Sequence, residues 1–257
     1  MKHPDGTPFA KKTKLSVLQH VNPVYAWFNE YSNLSAKSPA KIPKGAIKKL
    51  GNERDVEVKD IAPLFNAMAN YTYTVWGVEK SEPFRSIFIW LMHGRRVNEV
   101  LSLDWENVNL EDGTYTITAA NNKTKIDMTY KLTPCQVNAL PTQKKKGLVF
   151  PPKKGRKDDD GNPRQIGADV LWNHWKRVRK AVGVWTLNKK EATPDDLHIH
   201  DIRHLIATEM LNKHKIVDEI SGAVLGHTRP GITARYAKML TESIDEAIMQ
   251  VLDGVLK

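Results

Sequence analysis

Three short segments carry residue types suited to gripping and attacking a phosphate. In the first, Gly94-Arg95-Arg96-Val97-Asn98-Glu99-Val100-Leu101-Ser102-Leu103-Asp104-Trp105, two arginines follow a helix-breaking glycine. Arg96 and Glu99 are three apart, on one helix face, where the carboxylate can hold the guanidinium. The start of that helix offers a positive end to an anion. In isolation the commoner explanation is an exposed Arg–Glu pair. In the second, Leu197-His198-Ile199-His200-Asp201-Ile202-Arg203-His204, His200 and Arg203 share a face while Ile202, Leu205 and Ile206 anchor it in a core. Four histidines between 198 and 214 also raise a metal site, but there is no His-Glu-x-x-His and no cysteine cluster, so no metal ligands are assigned. In the third, Leu225-Gly226-His227, the histidine follows a glycine that ends a helix, and Tyr236 lies on the next one. A lone Leu-Gly-His is ordinarily a cap and turn, and a lone tyrosine ordinarily packs.

Order and spacing change that balance. Together the three segments resemble the boxes of the tyrosine recombinase family of phage integrases and resolvases. The likeness covers residues 55–245. It implies that Arg96 and Arg203 grip the non-bridging oxygens of a DNA phosphodiester, with Glu99 supporting Arg96. His200 is the base or a phosphate ligand, His227 a hydrogen-bond donor, and Tyr236 the nucleophile. The resemblance places a catalytic lysine in a β-turn. Lys123, in Asn121-Asn122-Lys123-Thr124-Lys125, is the best match and Lys125 the rival; both also read as solvated turn lysines. At the position of Arg95 the family often carries a small uncharged or apolar residue, and the Gly-x-Arg-x-x-Glu frame selects Arg96.

The implied chemistry is strand transfer through a 3′-phosphotyrosyl link, with no metal, ATP or other cofactor. The partners are double-stranded DNA attachment sites, a homotetramer on that DNA, and an accessory DNA-bending or directionality protein. The setting is cytoplasmic and nucleoid-associated, in a bacterium or phage. The alternatives are a resolvase, telomere-forming enzyme or topoisomerase of the same chemistry, a non-catalytic DNA-binding protein, and a metal-dependent hydrolase.

Such a site needs a scaffold, and hydrophobic periodicity supplies one: mainly α with a small antiparallel β-sheet. Helices are expected over 13–34 (kinked or split at Pro23), 59–73, 84–93, 97–103, 168–182, 200–213, 217–225, 233–239 and 242–252. Thr114–Thr118 and Ile126–Leu132 alternate as strands, with Asn121-Asn122 as a tight turn between them. Leu148-Val149-Phe150 reads as a third short strand. Residues 143–165 form a basic loop closed by a solvated Asp-Asp-Asp-Gly-Asn turn. Lys176, Arg177, Arg179 and Lys180 fall on the outer face of helix 168–182, where they either contact DNA or are solvated. The apolar stripe Ile244, Ala247, Ile248, Val251 and Leu252 either packs on its own domain or docks on a neighbouring protomer. Residues 1–50, with a Pro/Ser/Lys-rich linker at 35–45, read as an arm left from a DNA core-binding domain, and 51–257 as the catalytic domain.

Composition agrees with this reading. The 257 residues carry 39 Lys and Arg against 29 Asp and Glu, a net charge of +10 that favours a polyanion, nucleic acid first. A merely basic soluble protein fits the charge equally well. The single cysteine, Cys135, excludes an internal disulfide and a cysteine metal cluster, and reads as a small apolar residue. The longest apolar concentration, Ile87–Met92, is far too short to span a membrane, and the N-terminus has no apolar signal region.

Overall fold

The computed structural model describes residues 11–32, 55–121, 125–152, 164–216, 246–253 and 255–256. The chain divides into two units, 1–54 and 55–257, against the expected boundary at 50. In the first unit the described residues form one helix, α1 (Lys11–Ser32), which runs through Pro23 instead of splitting there. Trp27 and Tyr31, one turn apart, set their rings 5.2 Å from each other.

Among its described residues the second unit carries the helices α2 (Ala62–Ala69), α3 (Phe84–Met92), α6 (Ala168–Val178) and α7 (Asp201–Thr208), with the short helices α4 (Val97–Leu101) and α5 (Pro134–Asn138) between them. The apolar positions predicted for the first of these, Ile61, Leu64, Phe65 and Met68, are all buried. The helix is shorter than expected, because Asp60 Oδ1 caps the Ala62 amide at 2.9 Å and the chain leaves the helix at Asn70. α3 buries Phe84, Ile87, Phe88, Trp90, Leu91 and Met92, each a side chain whose burial contributes ~1.5–3 kcal/mol. α7 is extended by one π-helical turn, Glu209–Lys213. The expected helices 217–225 and 233–239, and residues 153–163 of the basic loop 143–165, lie outside the described residues.

The strands are more numerous than the sequence indicates. β1 (Val56–Val58), β7 (Trp185–Leu187) and β8 (Lys190–Glu191) form one antiparallel sheet, and β2 (Tyr73–Val75) with β3 (Val78–Lys80) a hairpin. β4 (Val108–Asn109), β5 (Thr114–Ile117) and β6 (Met128–Lys131) form the expected sheet. Its central register pairs Tyr115 with Tyr130 and Ile117 with Met128. Of the tight turn expected at Asn121-Asn122, the Asn121 amide donates to the Thr118 carbonyl at 3.0 Å and Asn122 lies outside the described residues. Asp127 Oδ1 accepts from the Ala119 amide at 2.6 Å. Leu148 makes only an isolated bridge to Asp104, so Val108–Asn109 replaces 148–150 as the third strand.

Residues 246–253 are helical and bury Ala247, Ile248, Val251 and Leu252 within this chain. Beyond them, Asn66 Nδ2 of α2 donates to the Val255 carbonyl at 3.1 Å. Ile244 of the expected stripe lies outside the described residues. No helix among the described residues is long and apolar enough to cross a membrane.

A buried polar link joins α3 to α5. The Ile89 carbonyl can only accept, so His93 Nδ1 donates to it at 2.8 Å, and Nε2 accepts from the Thr133 hydroxyl at 2.6 Å. Burial, reinforced by Arg95 and opposed by the Ile89 carbonyl, pulls the His93 pKa down to about 4. The unfolded chain therefore takes up this proton first as pH falls. The stability held by neutral His93 is complete above pH 6.5 and drains away between 6.5 and about 4, by up to about 3 kcal/mol. Denaturant unfolding of His93→Gln across that window should show a shallower loss by one proton; parallel curves would refute the assignment.

Candidate active site

The first box owes its geometry to Gly94. Its φ of +75° ends α3 in a conformation costly for other residues and turns the chain into Arg95 and Arg96. Arg96 is the N-cap of α4, extended at φ −74°, ψ 149°. Glu99 reaches back with both oxygens: Oε2 accepts from the Arg96 amide at 2.8 Å and Oε1 from its guanidinium at 2.6 Å. The predicted Arg96–Glu99 pair is thus present, with Glu99 buried. The Arg96 amide, at the N-cap of α4, is the donor that the Glu99 carboxylate takes. Arg95 turns the other way, buried with its guanidinium 3.7 Å above the Tyr130 ring.

The second box is set by a compact turn. Asp201, 1% exposed, accepts from the His198 amide through Oδ2 at 2.8 Å, and the Asp201 amide returns to the His198 carbonyl at 2.9 Å. Trp175 Nε1 on α6 donates to the Leu197 carbonyl at 2.9 Å and fixes where the turn begins. Arg203 then runs inward, 5% exposed, and donates to the Gly94 carbonyl of the first box. The two boxes are therefore joined by a buried hydrogen bond across 109 positions of sequence.

Electrostatics mark the junction. The Arg203 pKa falls to about 10, through burial first and then through the neighbouring charges of Arg96 and Arg95. The His200 pKa is lowered by partial burial, then by Arg203, His204 and Arg96, with Asp201 opposing. Among the described residues, the charges of Arg95 and Arg96 bear on Arg203 against that of Glu99, and Asp201 acts on His200. An entering anion would relieve the mutual repulsion of the arginines without reorganising them.

A hollow of about 820 Å³ opens beside this junction. Arg96, Glu99 and His200 line it together with Asn98, Asn121, Lys125 and Trp172. Asn98 and Trp172 carry no chemical spacing in the sequence, and Asn121 reads there only as a turn residue. Lys125 sits at φ +57° on the connection 118–127. Lys123, His227 and Tyr236 lie outside the described residues. No three His, Cys, Asp or Glu side chains among the described residues are grouped to hold a metal ion.

One expected surface residue needs correction. Lys176, Arg177 and Lys180 are exposed, but Arg179 is buried. α6 tightens into a 3₁₀ turn at Arg179–Ala181, and the guanidinium donates to the Asp195 carbonyl at 2.7 Å and to its Oδ1 at 2.5 Å. It also faces the Trp172 ring at 5.1 Å. Arg179 lies four residues from buried Trp175, so helical spacing alone would have turned it inward.

Tyrosine recombinase XerD from Vibrio vulnificus, in strains YJ016 and CMCP6, is 26% identical to this chain over 161 residues. That stretch is 60% of this chain and 47% of the relative, so the match spans about half the length of those proteins. The solved integrase from mycobacterium phage Brujita aligns at 15% identity with a TM-score of 0.48, covering 98% of this chain and 80% of that one. A family model described as the phage integrase family matches residues 56–243, a span that holds both arginine boxes, His227 and Tyr236. The chain belongs to the phage integrase family.

Proposed function

We propose that the protein is a site-specific DNA recombinase that breaks and rejoins DNA through a 3′-phosphotyrosyl intermediate on Tyr236, with neither metal nor ATP. The observation that carries the reading is the buried Arg203–Gly94 link, which brings Arg96, Arg203 and His200 from separate elements to one anion-ready corner. In this reading Arg96 and Arg203 neutralise the non-bridging oxygens as charge builds on phosphorus. Phenol is a poor nucleophile at neutral pH, with a pKa of ~10, so its proton must leave with help. His200, whose pKa is lowered by burial and then by Arg203, His204 and Arg96, is suited to accept it. His227 donates a hydrogen bond to the phosphate. The departing 5′-oxygen takes a proton from Lys123 or Lys125, of which Lys125 lines the hollow. The proposed catalytic domain is 51–257, with 1–50 as a remnant of a core-binding domain. The partners are double-stranded attachment sites, a homotetramer and an accessory bending or directionality protein, in the cytoplasm at the nucleoid.

The test is covalent trapping on nicked duplexes with randomised central sequence. A denaturant-resistant adduct that survives chelator supports the reading and identifies the site. Binding without any adduct would favour the non-catalytic DNA-binding alternative.

The charge assignments make a separate prediction. Lys176→Ala, Arg177→Ala and Lys180→Ala should each flatten the salt dependence of DNA binding by about one unit of slope. Arg179→Met should leave that slope unchanged and instead destabilise the fold by about 1–3 kcal/mol, because the Asp195 carbonyl loses its donor. Binding titrations at several salt concentrations, paired with thermal melts, separate the two classes.

A further inference from the structure

We propose that Arg95 is a positioning residue which, through the face of Tyr130, clamps strand β6, and with it Lys125 ahead of the strand, beside the arginine pair that holds the phosphate. The inference rests on the recombinase reading above. Arg95 is adjacent to Arg96 in sequence but turns away from the hollow, 4% exposed, and holds its guanidinium 3.7 Å over the Tyr130 ring. Its Nε donates to the His93 carbonyl at 3.3 Å. His93 is itself fixed on both ring nitrogens by Ile89 and Thr133, so the base of the clamp is rigid. On the sheet side, Tyr130 stacks on Tyr115, its register partner in β5, with centroids 5.5 Å apart at 28°. Burial pushes the Tyr115 pKa up to about 12, so the phenol stacked on Tyr130 is neutral.

The clamp matters because of what precedes Tyr130. Lys125 lies five residues before it, on the long connection 118–127, and lines the hollow beside Arg96 and His200. A general acid must sit within hydrogen-bond reach of the leaving oxygen, and displacement by about 1 Å can cost about 100-fold. An apolar residue at position 95 would fill space; a cation stacked on a ring also fixes the lateral position of the strand.

The step itself supplies the test. Attack forms the bond from Tyr236 oxygen to phosphorus and breaks the bond to the 5′-oxygen. The phenolic proton passes to the base, and a lysine ammonium gives its proton to the 5′-oxygen. When that bridging oxygen is replaced by sulfur, the thiolate leaves without a proton and the lysine is no longer needed. Cleavage of the duplex recovered by trapping is measured with bridging oxygen and with bridging sulfur. Arg95→Met and Tyr130→Leu should each be about 100-fold slower on oxygen and near wild type on sulfur. The double variant should be no slower than either single one, and Tyr130→Phe, which keeps the ring face, should retain most of the rate. If Arg95→Met does not fold, the Tyr130→Leu and Tyr130→Phe pair decides alone. An equal deficit on both substrates, or additive losses in the double variant, would overturn the proposal. Lys123→Ala and Lys125→Ala run alongside. Rescue of a lysine variant by sulfur without rescue at Arg95 and Tyr130 defeats the clamp alone, whereas no rescue of either lysine defeats the general-acid reading with it.

Discussion

Tyr236→Phe is expected to eliminate the covalent protein–DNA adduct and all strand transfer, a loss on the order of 10⁴-fold or more, while duplex affinity and its salt dependence stay close to wild type. The expectation follows from the chemistry. In the proposed mechanism, removing one hydroxyl oxygen deletes the nucleophile and none of the cations assigned to the phosphate. Water cannot substitute productively, because hydrolysis would discard the bond energy that rejoining requires. Affinity should survive because phosphate contacts by Lys and Arg dominate it. Denaturing gels read the adduct and filter or fluorescence titrations read the binding. A variant that still forms the adduct would move the nucleophile to another residue. A variant whose loss of activity is matched by loss of binding would make Tyr236 structural. A resolvase or topoisomerase would lose its adduct in the same way, so product topology with wild-type protein separates those outcomes from integration.

What the sequence revealed, and what it concealed, divides along the range of the interactions. Arg96–Glu99 and His200–Arg203 are helical spacings, and side-chain chemistry at three residues' distance can be read directly. The long apolar helices were legible for the same reason, through the buried faces of Leu64–Phe65–Met68 and Leu171–Trp175–Val178. Strands of two or three residues were not, since β1 is too short to alternate and finds β7 about 130 positions away. The β7–β8 turn uses Asn188 and Lys189, both at positive φ, and a lysine there gives no turn signal. Trp76-Gly77 turns the β2–β3 hairpin in the same left-handed region, where the helical pattern had been extended through Tyr73. Arg179 was assigned outward by residue type, although its partner Asp195 sits sixteen positions on. The closing of the site, with Arg203 on the Gly94 carbonyl, is a tertiary contact that no local spacing encodes.

Arg203→Ala should lower strand cleavage by about 10³-fold, and Arg203→Lys by at least about 100-fold, with an added loss toward alkaline pH that wild type lacks. Arg203 is buried, 5% exposed, and the burial and neighbouring arginines that bring its pKa to about 10 act equally on any cation put there. Arginine absorbs that shift and stays charged at neutral pH. Lysine begins about two units lower and loses its proton readily when buried, so the same surroundings would bring its deprotonation into the range of the assay. Lysine also lacks the planar fork that can hold the Gly94 carbonyl and a phosphate oxygen together. The crowding predicts a second observable that needs no DNA. Inorganic phosphate should raise the melting temperature of wild type by relieving repulsion among Arg95, Arg96 and Arg203, and should do so far less in Arg203→Ala. Melts of the two proteins over a phosphate series, corrected with chloride of equal ionic strength, measure this directly. Equal stabilisation of both would place the anion elsewhere. A pH profile of Arg203→Lys parallel to wild type would show that the charge of the buried cation does not limit the reaction.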